Sequence, residues 1–373
     1  MFDVAVEPRF DFRSAAYAEL FARSRATAFQ HPQWLAALYR DVVPAMKAAP
    51  LIVTVRSVKD RELAMVLPLI RRRYGALRAI EFADLGVSDY AAPVGADVTI
   101  EAILHDRASC AKLKAALGAF DVLRVQKLRE DAVALERLVG ARERVSMAMS
   151  AHAVPLGPDY AQWRAQHISA SYRKELDKKS RQLHRKGQIV FSCATDDAMI
   201  RATLEKMREY RGPRFGDSDL LQNPVYFDFY LDIATRGRGA LSRLYSIALD
   251  GEPIAGVLGL VHKGSLLVIL SGFDVANHKN QSLGSLTFEM VAQHCIQMGD
   301  SELDFTIGDE PYKSLFGARA TPVYQVARSG SVLGAVAGKA VEQIPWLKNV
   351  AKRLLHAGRS APIAVPAREG TRA

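Results

Sequence analysis

The stretch LDFTIGDEPYKSLFG, residues 303–317, places Asp304, Asp309, Glu310, Tyr312 and Lys313 within or just after an apolar run. Side chains of these types suit proton transfer, because a carboxylate can accept the proton that an attacking amine or hydroxyl must lose. Asp309 and Glu310 are neighbours, and adjacent like charges disfavour ionisation of both at once. The plainer alternative is structural. Asp304 then caps a turn, while Asp309 and Glu310 open a short helix whose dipole favours carboxylates.

Such residues need elements to hold them, and the chain repeats one pattern that can do so. LIVTV (51–55) leads through a polar turn into AMVLPL (64–69), and LYSIAL (244–249) leads through DGE into PIAGVLGL (253–260). Each copy reads as strand, turn, strand, and the second continues through HKGS into LLVILSGF (266–273), a three-strand meander. SLGSLTFEMVAQHCIQMG then sets Leu283, Leu286, Met290 and Cys295 near helical spacing, and LDFTI and PVYQVA read as further strands. The echo predicts mixed α/β (α+β) halves, residues 1–155 and 156–330, joined near AVPLGPD (153–159), where prolines and a glycine break the pattern. The competing reading is a pair of unrelated hairpins.

The bulk composition narrows the class. A chain of 373 residues with 49% hydrophobic content can bury a sizeable core. Cys110, Cys193 and Cys295 are far apart and form no CxxC pair, which suggests neither a disulfide framework nor a zinc site and points to a reducing cytoplasm. The N-terminus, MFDVAVEPRF, lacks the basic-then-apolar order of a signal peptide, and no apolar run reaches the roughly 18 residues of a spanning helix. The net charge of +10 favours an anionic partner. Residues 173–186 hold seven Lys or Arg against two acids, and Lys174, Lys178 and Arg181 fall on one helical face beside Arg173. Either this is a solvated helix or it binds an anionic substrate. DNA is not expected, because no helix-turn-helix, zinc motif or aromatic ladder accompanies the charge.

Three segments resemble one family. FQHPQWLAALY (29–39), YRKELDKKSRQLHRKGQIVF (172–191) and, most specifically, LDFTIGDEPYKSLFG are similar to the GNAT-related acyltransferases of bacterial exopolysaccharide biosynthesis. These are the cellulose-synthesis or holdfast type with a BioF2-like acetyltransferase domain, relatives of the Fem aminoacyl transferases. The resemblance covers about residues 25–330 and implies two tandem GNAT-like domains, each a mixed, mostly antiparallel sheet flanked by helices. It implies N-acetyl or other acyl transfer from acetyl-CoA or another acyl-CoA, without a metal, to a sugar intermediate: an anionic sugar-nucleotide or a lipid-linked saccharide. In the Fem relatives a lysine in a comparable context stabilises the oxyanion, a position that Lys313 matches. A carboxylate from Asp304, Asp309 or Glu310 would then be the base, with Tyr312 shaping the site. A preorganised donor of this kind is worth roughly 10²–10³ in rate.

GNAT enzymes cradle the donor pyrophosphate at a helix N-terminus, and QSLGSL (281–286) keeps Gln281 and Gly284 of that pattern, with Ser285 beside them. Leu286 stands where the pattern asks for glycine or alanine, whereas His278 and Lys279 can meet phosphate. In ADLGVSDYAAPVG (83–95) the family's Asp-Tyr pair corresponds to Asp89 and Tyr90, expected either to line an acceptor cleft between the halves or to form a plain turn. His31 and Trp34 need only a packing role. Two rivals to the sugar acyltransferase remain. One is a Fem-type enzyme using aminoacyl-tRNA, although tRNA is not the favoured partner. The other is a non-catalytic GNAT-like nucleotide-binding regulator.

The tail, residues 331–373, changes character. Lys339, Lys348, Lys352, Arg353 and Arg359 accompany Ile344, Leu347, Val350 and Leu354 at helical spacing, with Trp346 beside them. Such a helix can lie on an anionic inner-membrane surface, or fold back on the first domain. Its charge also makes cyclic di-GMP a candidate ligand that would release it. Residues from about Ala361 are expected to be disordered. The expected location is cytoplasmic, peripheral at the inner membrane if the tail binds there.

Overall fold

Alternating apolar residues punctuated by Asp-Gly and Lys-Gly turns dictate strands and hairpins, and the computed structural model contains them. It describes residues 2–132, 135–141 and 144–336. The tail residues singled out above, from Lys339 onward, lie outside the described residues. In chain order the strands are β1 (Phe2–Val6), β2 (Ala49–Ser57), β3 (Leu63–Tyr74), β4 (Leu77–Phe82), β5 (Val122–Arg129), β6 (Arg144–Pro155), β7 (Ile189–Cys193), β8 (Ser242–Leu249), β9 (Glu252–His262), β10 (Ser265–Phe273), β11 (Glu302–Ile307) and β12 (Arg319–Ser329). The helices that matter below are α1 (Asp97–His105), α2 (Arg107–Ala116), α3 (Tyr160–His167), α4 (Ala170–His184), α5 (Asp197–Phe215), α6 (Pro224–Arg236) and α7 (Leu283–Gln297). No helix among the described residues is long and apolar enough to cross a membrane.

The chain divides into two units. Unit 1 takes Met1–Met149, Asn223–Ser242 and the chain from Thr321, whereas unit 2 takes Ser150–Gln222 and Arg243–Ala320. Within unit 1 the strand order is β1-β2-β3-β4-β5-β12, and within unit 2 it is β7-β8-β9-β10-β11-β6. β1 to β4 pair antiparallel, β4 pairs β5 in parallel, and β12 closes the set antiparallel to β5. Unit 2 repeats this plan: β7–β8 and β9–β10 are antiparallel, β10–β11 is parallel, and β6 closes antiparallel to β11. A parallel pair needs a long crossover, which α1 and α2 supply in unit 1 and α7 in unit 2. Each closing strand follows the other unit's parallel strand in the chain: β6 comes after β5, and β12 after β11. In each unit the strands form a mixed, mostly antiparallel set flanked by helices.

Local chemistry explains the meander of unit 2. Asp250 and Gly251 have φ of 50° and 89°, and Lys263 and Gly264 have 49° and 77°, the left-handed pairs of a two-residue hairpin turn. β9 and β10 then place Gly256 opposite Gly272. A Cβ on Gly272 would lie 2.8 Å from the Met207 Cα, so α5 approaches the sheet over a window that only glycine leaves open. The core of unit 2 gathers Val154, Leu176, Leu183, Tyr245, Val257, Leu286, Phe288 and Phe305, and that of unit 1 gathers Val53, Met65, Leu67, Ile80, Leu123 and Val125. Ala153 to Pro155, read above as part of a joint, lie inside unit 2, where they complete β6 by pairing with β11, and the division between the units falls before them, after Met149.

α5 is fastened to β10 by charge as well. Arg211 donates through Nε to Asp219 Oδ2 at 2.9 Å and through Nη1 to the Ser271 carbonyl at 2.6 Å. Both side chains are buried, so removing the cation leaves an uncompensated carboxylate in a dry setting. Arg211→Met should destabilise unit 2 by about 3–5 kcal/mol, read as a lowered urea midpoint. A shift equivalent to less than about 1 kcal/mol, the range of a surface pair, would contradict this reading.

Candidate active site

The parallel pairing of β10 and β11 is brief. It runs through Ser265–Glu302, Leu266–Leu303 and Leu267–Asp304, and there it stops, although β10 continues to Phe273 and β11 to Ile307. Both strands are irregular at the point of separation. β10 shifts register between Val268 and Leu270, and β11 shifts between Asp304 and Ile307 against β6. Phe305 and Thr306 thereby face the single residue His152, the two-against-one count of a bulge. Thr306 takes φ of 57°, a left-handed conformation that a β-branched residue rarely adopts. Its hydroxyl donates to the Val268 carbonyl at 3.0 Å and its amide donates to Asp304 Oδ1 at 2.7 Å. Asp304 is 3% exposed, so this carboxylate holds the bulge from within.

The loop after β11 is built on this bulge. Gly308, at φ of 130°, donates its amide to the Ser150 carbonyl at 2.9 Å, and a Cβ there would meet the Glu310 carboxylate. Asp309 Oδ1 accepts from the Ser150 amide at 3.2 Å and lies 2.9 Å from His152 Nε2. Lys313 is 2% exposed. Its ammonium donates to the Thr306 carbonyl at 3.3 Å and the Gly308 carbonyl at 2.9 Å, and forms an ion pair with Glu310 Oε2 at 2.9 Å. Tyr312 stacks on Phe288 with ring centroids 4.9 Å apart and meets Phe305 edge-on. Asp304, Asp309, Glu310, Tyr312 and Lys313 are thus assembled around one bulged strand end, with Asp309 the exposed carboxylate among them.

β10 leads into the other half of the site. The loop 274–282 ends at Ser282, in the left-handed conformation, and α7 starts at Leu283 with no side chain capping it. The first-turn amides of a helix have no intrahelical acceptors, and they carry the positive end of its dipole. α4 and the turn that follows it tie the loop down: Lys179 on the helix donates to the Asn280 carbonyl at 2.7 Å, and Lys186 in the turn donates to the Asn277 carbonyl at 3.2 Å. His278 is buried beside Lys186, and burial together with that ammonium holds its imidazole below the ordinary histidine pKa. Lys279 is exposed and Gln281 half-buried, while Gly284 and Ser285 are buried in the first turn, where the Ser285 hydroxyl meets the Tyr172 hydroxyl at 2.7 Å. Leu286, the departure from the phosphate pattern, sends its side chain into the core of unit 2.

Lys174, Lys178 and Arg181 are exposed along α4, but Arg173 is used internally, donating to the carbonyls of Arg164, Ala165 and Ile168 at the end of α3.

Unit 1 carries the same bulge with different contents. Between Val125–Val326 and Leu128–Tyr324, Gln126 and Lys127 face Gln325, and Lys127 takes φ of 63°. Here the opening beside the parallel strand is occupied by the chain itself. The Ala91 amide donates to the Lys127 carbonyl at 3.0 Å, and Lys127 Nζ reaches the Ser88 carbonyl at 2.6 Å and Asp84 Oδ2 at 3.0 Å. Tyr90 is 1% exposed, its ring edge-on to Phe29 and beneath the Arg129 guanidinium, and Asp89 is half-buried. Trp34 Nε1 donates to the Ser88 hydroxyl at 3.0 Å, and His31 Nδ1 accepts from the Gln33 amide at 3.2 Å. Gln126 and Gln325 bond to each other at 2.9 Å where unit 2 has Phe305 and His152. His152 was not singled out from the sequence. A lone histidine in SAHAVP is one residue of an apolar strand, and only the register against β11 gives it a neighbour.

Residues 170–314, most of them in unit 2, match the family model described as an acetyltransferase (GNAT) domain, which supports an acyltransferase. No curated protein sequence matches the chain. Among solved structures, FemX is similar with a TM-score of 0.54 and 11% identity over 86% of this chain and 99% of that one. L-PGS from Bacillus licheniformis gives 0.52 and 11% over 93% and 99%. The C-terminal DUF2156 domain of a protein described as a lysylphosphatidylglycerol synthetase from Agrobacterium fabrum gives 0.53 and 12% over 87% and 94%. At such identities the likeness is one of fold.

The bonds around Lys313 set an expectation. Lys313→Ala leaves Glu310 and two carbonyls without their cation, and should cost about 3 kcal/mol, seen as a lowered melting temperature. An unchanged melting temperature would show that the ammonium does not hold the loop.

Proposed function

We propose that the protein transfers an acyl group, with acetyl the favoured one, from coenzyme A to an amine or hydroxyl of a sugar intermediate in exopolysaccharide or surface-adhesin synthesis. The observation that carries the acyl-transfer reading is the opening between β10 and β11 in unit 2. Backbone groups of β10 beyond Leu267 and of β11 beyond Asp304 have lost each other as partners, so an extended donor can lie along β10 with its thioester beside the bulge. From there β10 leads to the uncapped start of α7, where amides and dipole suit a pyrophosphate. Gln281, Gly284, Ser285, His278 and Lys279 belong to that end, and the Asp309 loop to the reacting end. Lys313 acts by holding this loop and by placing a buried positive charge beneath it. The exposed cations Lys174, Lys178 and Arg181 suit an anionic acceptor such as a sugar-nucleotide or a lipid-linked saccharide.

The exopolysaccharide setting rests on the sequence resemblance. The cytoplasmic location rests on the cysteine pattern, and attachment of the tail to the inner membrane and its release by cyclic di-GMP rest on the tail's charge and helical spacing. A second reading, an aminoacyl-tRNA donor, is favoured by the same cationic stripe. It requires tRNA binding that weakens steeply with salt.

The test is release of free thiol from acetyl-CoA with UDP-amino-sugars or oligosaccharides as acceptors. Acceptor-dependent release with an acylated sugar as product is expected. Release no faster than hydrolysis across the acceptor panel, together with salt-sensitive tRNA binding, would replace this reading with the second.

A further inference from the structure

The Asp309–His152 pair does work that the donor seat alone does not explain. His152 lies on β6 opposite the Phe305–Thr306 bulge and is 9% exposed. Its Nε2 is 2.9 Å from Asp309 Oδ1, and that carboxylate is held in place by the Ser150 amide two residues earlier on the same strand. An ionised carboxylate only accepts hydrogen bonds, so the imidazole nitrogen facing it must carry the proton. The neutral ring then has its lone pair on Nδ1. Nδ1 is buried and has no hydrogen-bond partner in the protein. Buried polar atoms are rarely left in this state, and those that are call for an explanation.

Resting on the acyl-transfer reading, we infer that His152 is the general base of unit 2 and that Asp309 is its positioning residue. The acceptor's N–H or O–H supplies the missing partner of Nδ1. As the acceptor nitrogen or oxygen bonds to the thioester carbon, its proton passes to Nδ1. The tetrahedral intermediate then collapses with cleavage of the C–S bond, and the departing thiolate takes the proton back from the imidazolium. An acylated acceptor and coenzyme A thiol leave, and the neutral imidazole is regenerated. Asp309 fixes the tautomer and faces the positive charge while it lasts, as a carboxylate partner does for a catalytic histidine. The same fold position in unit 1 makes the contrast: Gln325 there bonds to Gln126 and has no group that can take up a proton. The shared bulge is a scaffold, and only unit 2 mounts a base on it.

Tautomer, turnover and rescue measurements test this. In protein labelled with ¹⁵N-histidine, the resonance missing from His152→Gln should show the neutral Nε2–H tautomer at pH 8, and an Nδ1–H tautomer would overturn the inference without reference to turnover. With acetyl-CoA and a UDP-amino-sugar, His152→Gln should lower kcat about 10²-fold with the donor KM unchanged, in the range general-base catalysis supplies. Asp309→Asn, at a half-exposed site where the fold is not at risk, should lower kcat about 10-fold, again with KM unchanged. Imidazoles added to His152→Ala should restore turnover in proportion to their basicity, which a packing role would not produce. Activity of His152→Gln or Asp309→Asn within two-fold of the parent overturns the dyad and leaves acyl transfer standing. Absence of transfer by the parent across the acceptor panel overturns both.

Discussion

The parallel contact between β10 and β11 is interrupted after Leu267–Asp304, and the candidate site is a consequence of that interruption. Two strands that separate in mid-sheet expose donors and acceptors on both edges, a cost a protein normally removes by pairing or covering them. Unit 2 keeps the strands apart deliberately. Thr306 is forced to positive φ, its amide is held by the buried Asp304 and its hydroxyl bridges to Val268, so the strands stay tethered by one side chain at the point where they part. Backbone strain of this kind persists only where its surroundings over-determine it. Lys313 supplies that restraint from below, through Thr306, Gly308 and Glu310.

The two units show what one scaffold permits. Both have a parallel pair, a closing strand and a bulge whose second residue is left-handed, Lys127 in unit 1 and Thr306 in unit 2. In unit 1 the segment around Ser88 to Ala91 bonds to Lys127 and occupies the place beside β5. In unit 2 the chain instead runs on along β10 and turns into α7, and the edge of β11 beyond Asp304 is not paired with β10. The difference is one of where the chain goes after the strand.

Much of this was legible in the sequence. The Asp-Gly and Lys-Gly turns, the apolar strands between them and the periodicity of α7 are local, and each follows from the residues concerned. The cluster from Asp304 to Lys313 was also legible, because charges after an apolar strand call for an explanation. What was not legible depends on register. The direction of Lys313 into the loop, the inward Asp304, the loss of Arg173 to the end of α3 and the pairing of His152 with Asp309 all need to know which strand lies beside β11. That strand is β6, which precedes β11 by some 150 residues and would have been assigned to the first half by any local reading. The loop containing Asp89 and Tyr90 reads as a polar turn, yet its burial follows from contact with β5, a strand more than 30 residues away.

The central claim is that the donor enters the opening of unit 2 and is denied that of unit 1. Hydrogen–deuterium exchange with saturating coenzyme A tests it directly. The account expects slower exchange at residues 268–273, 282–286 and 305–310, with residues 83–94 and 125–128 unchanged. Protection at 83–94 and 125–128, or none at the β10–β11 opening, would contradict it.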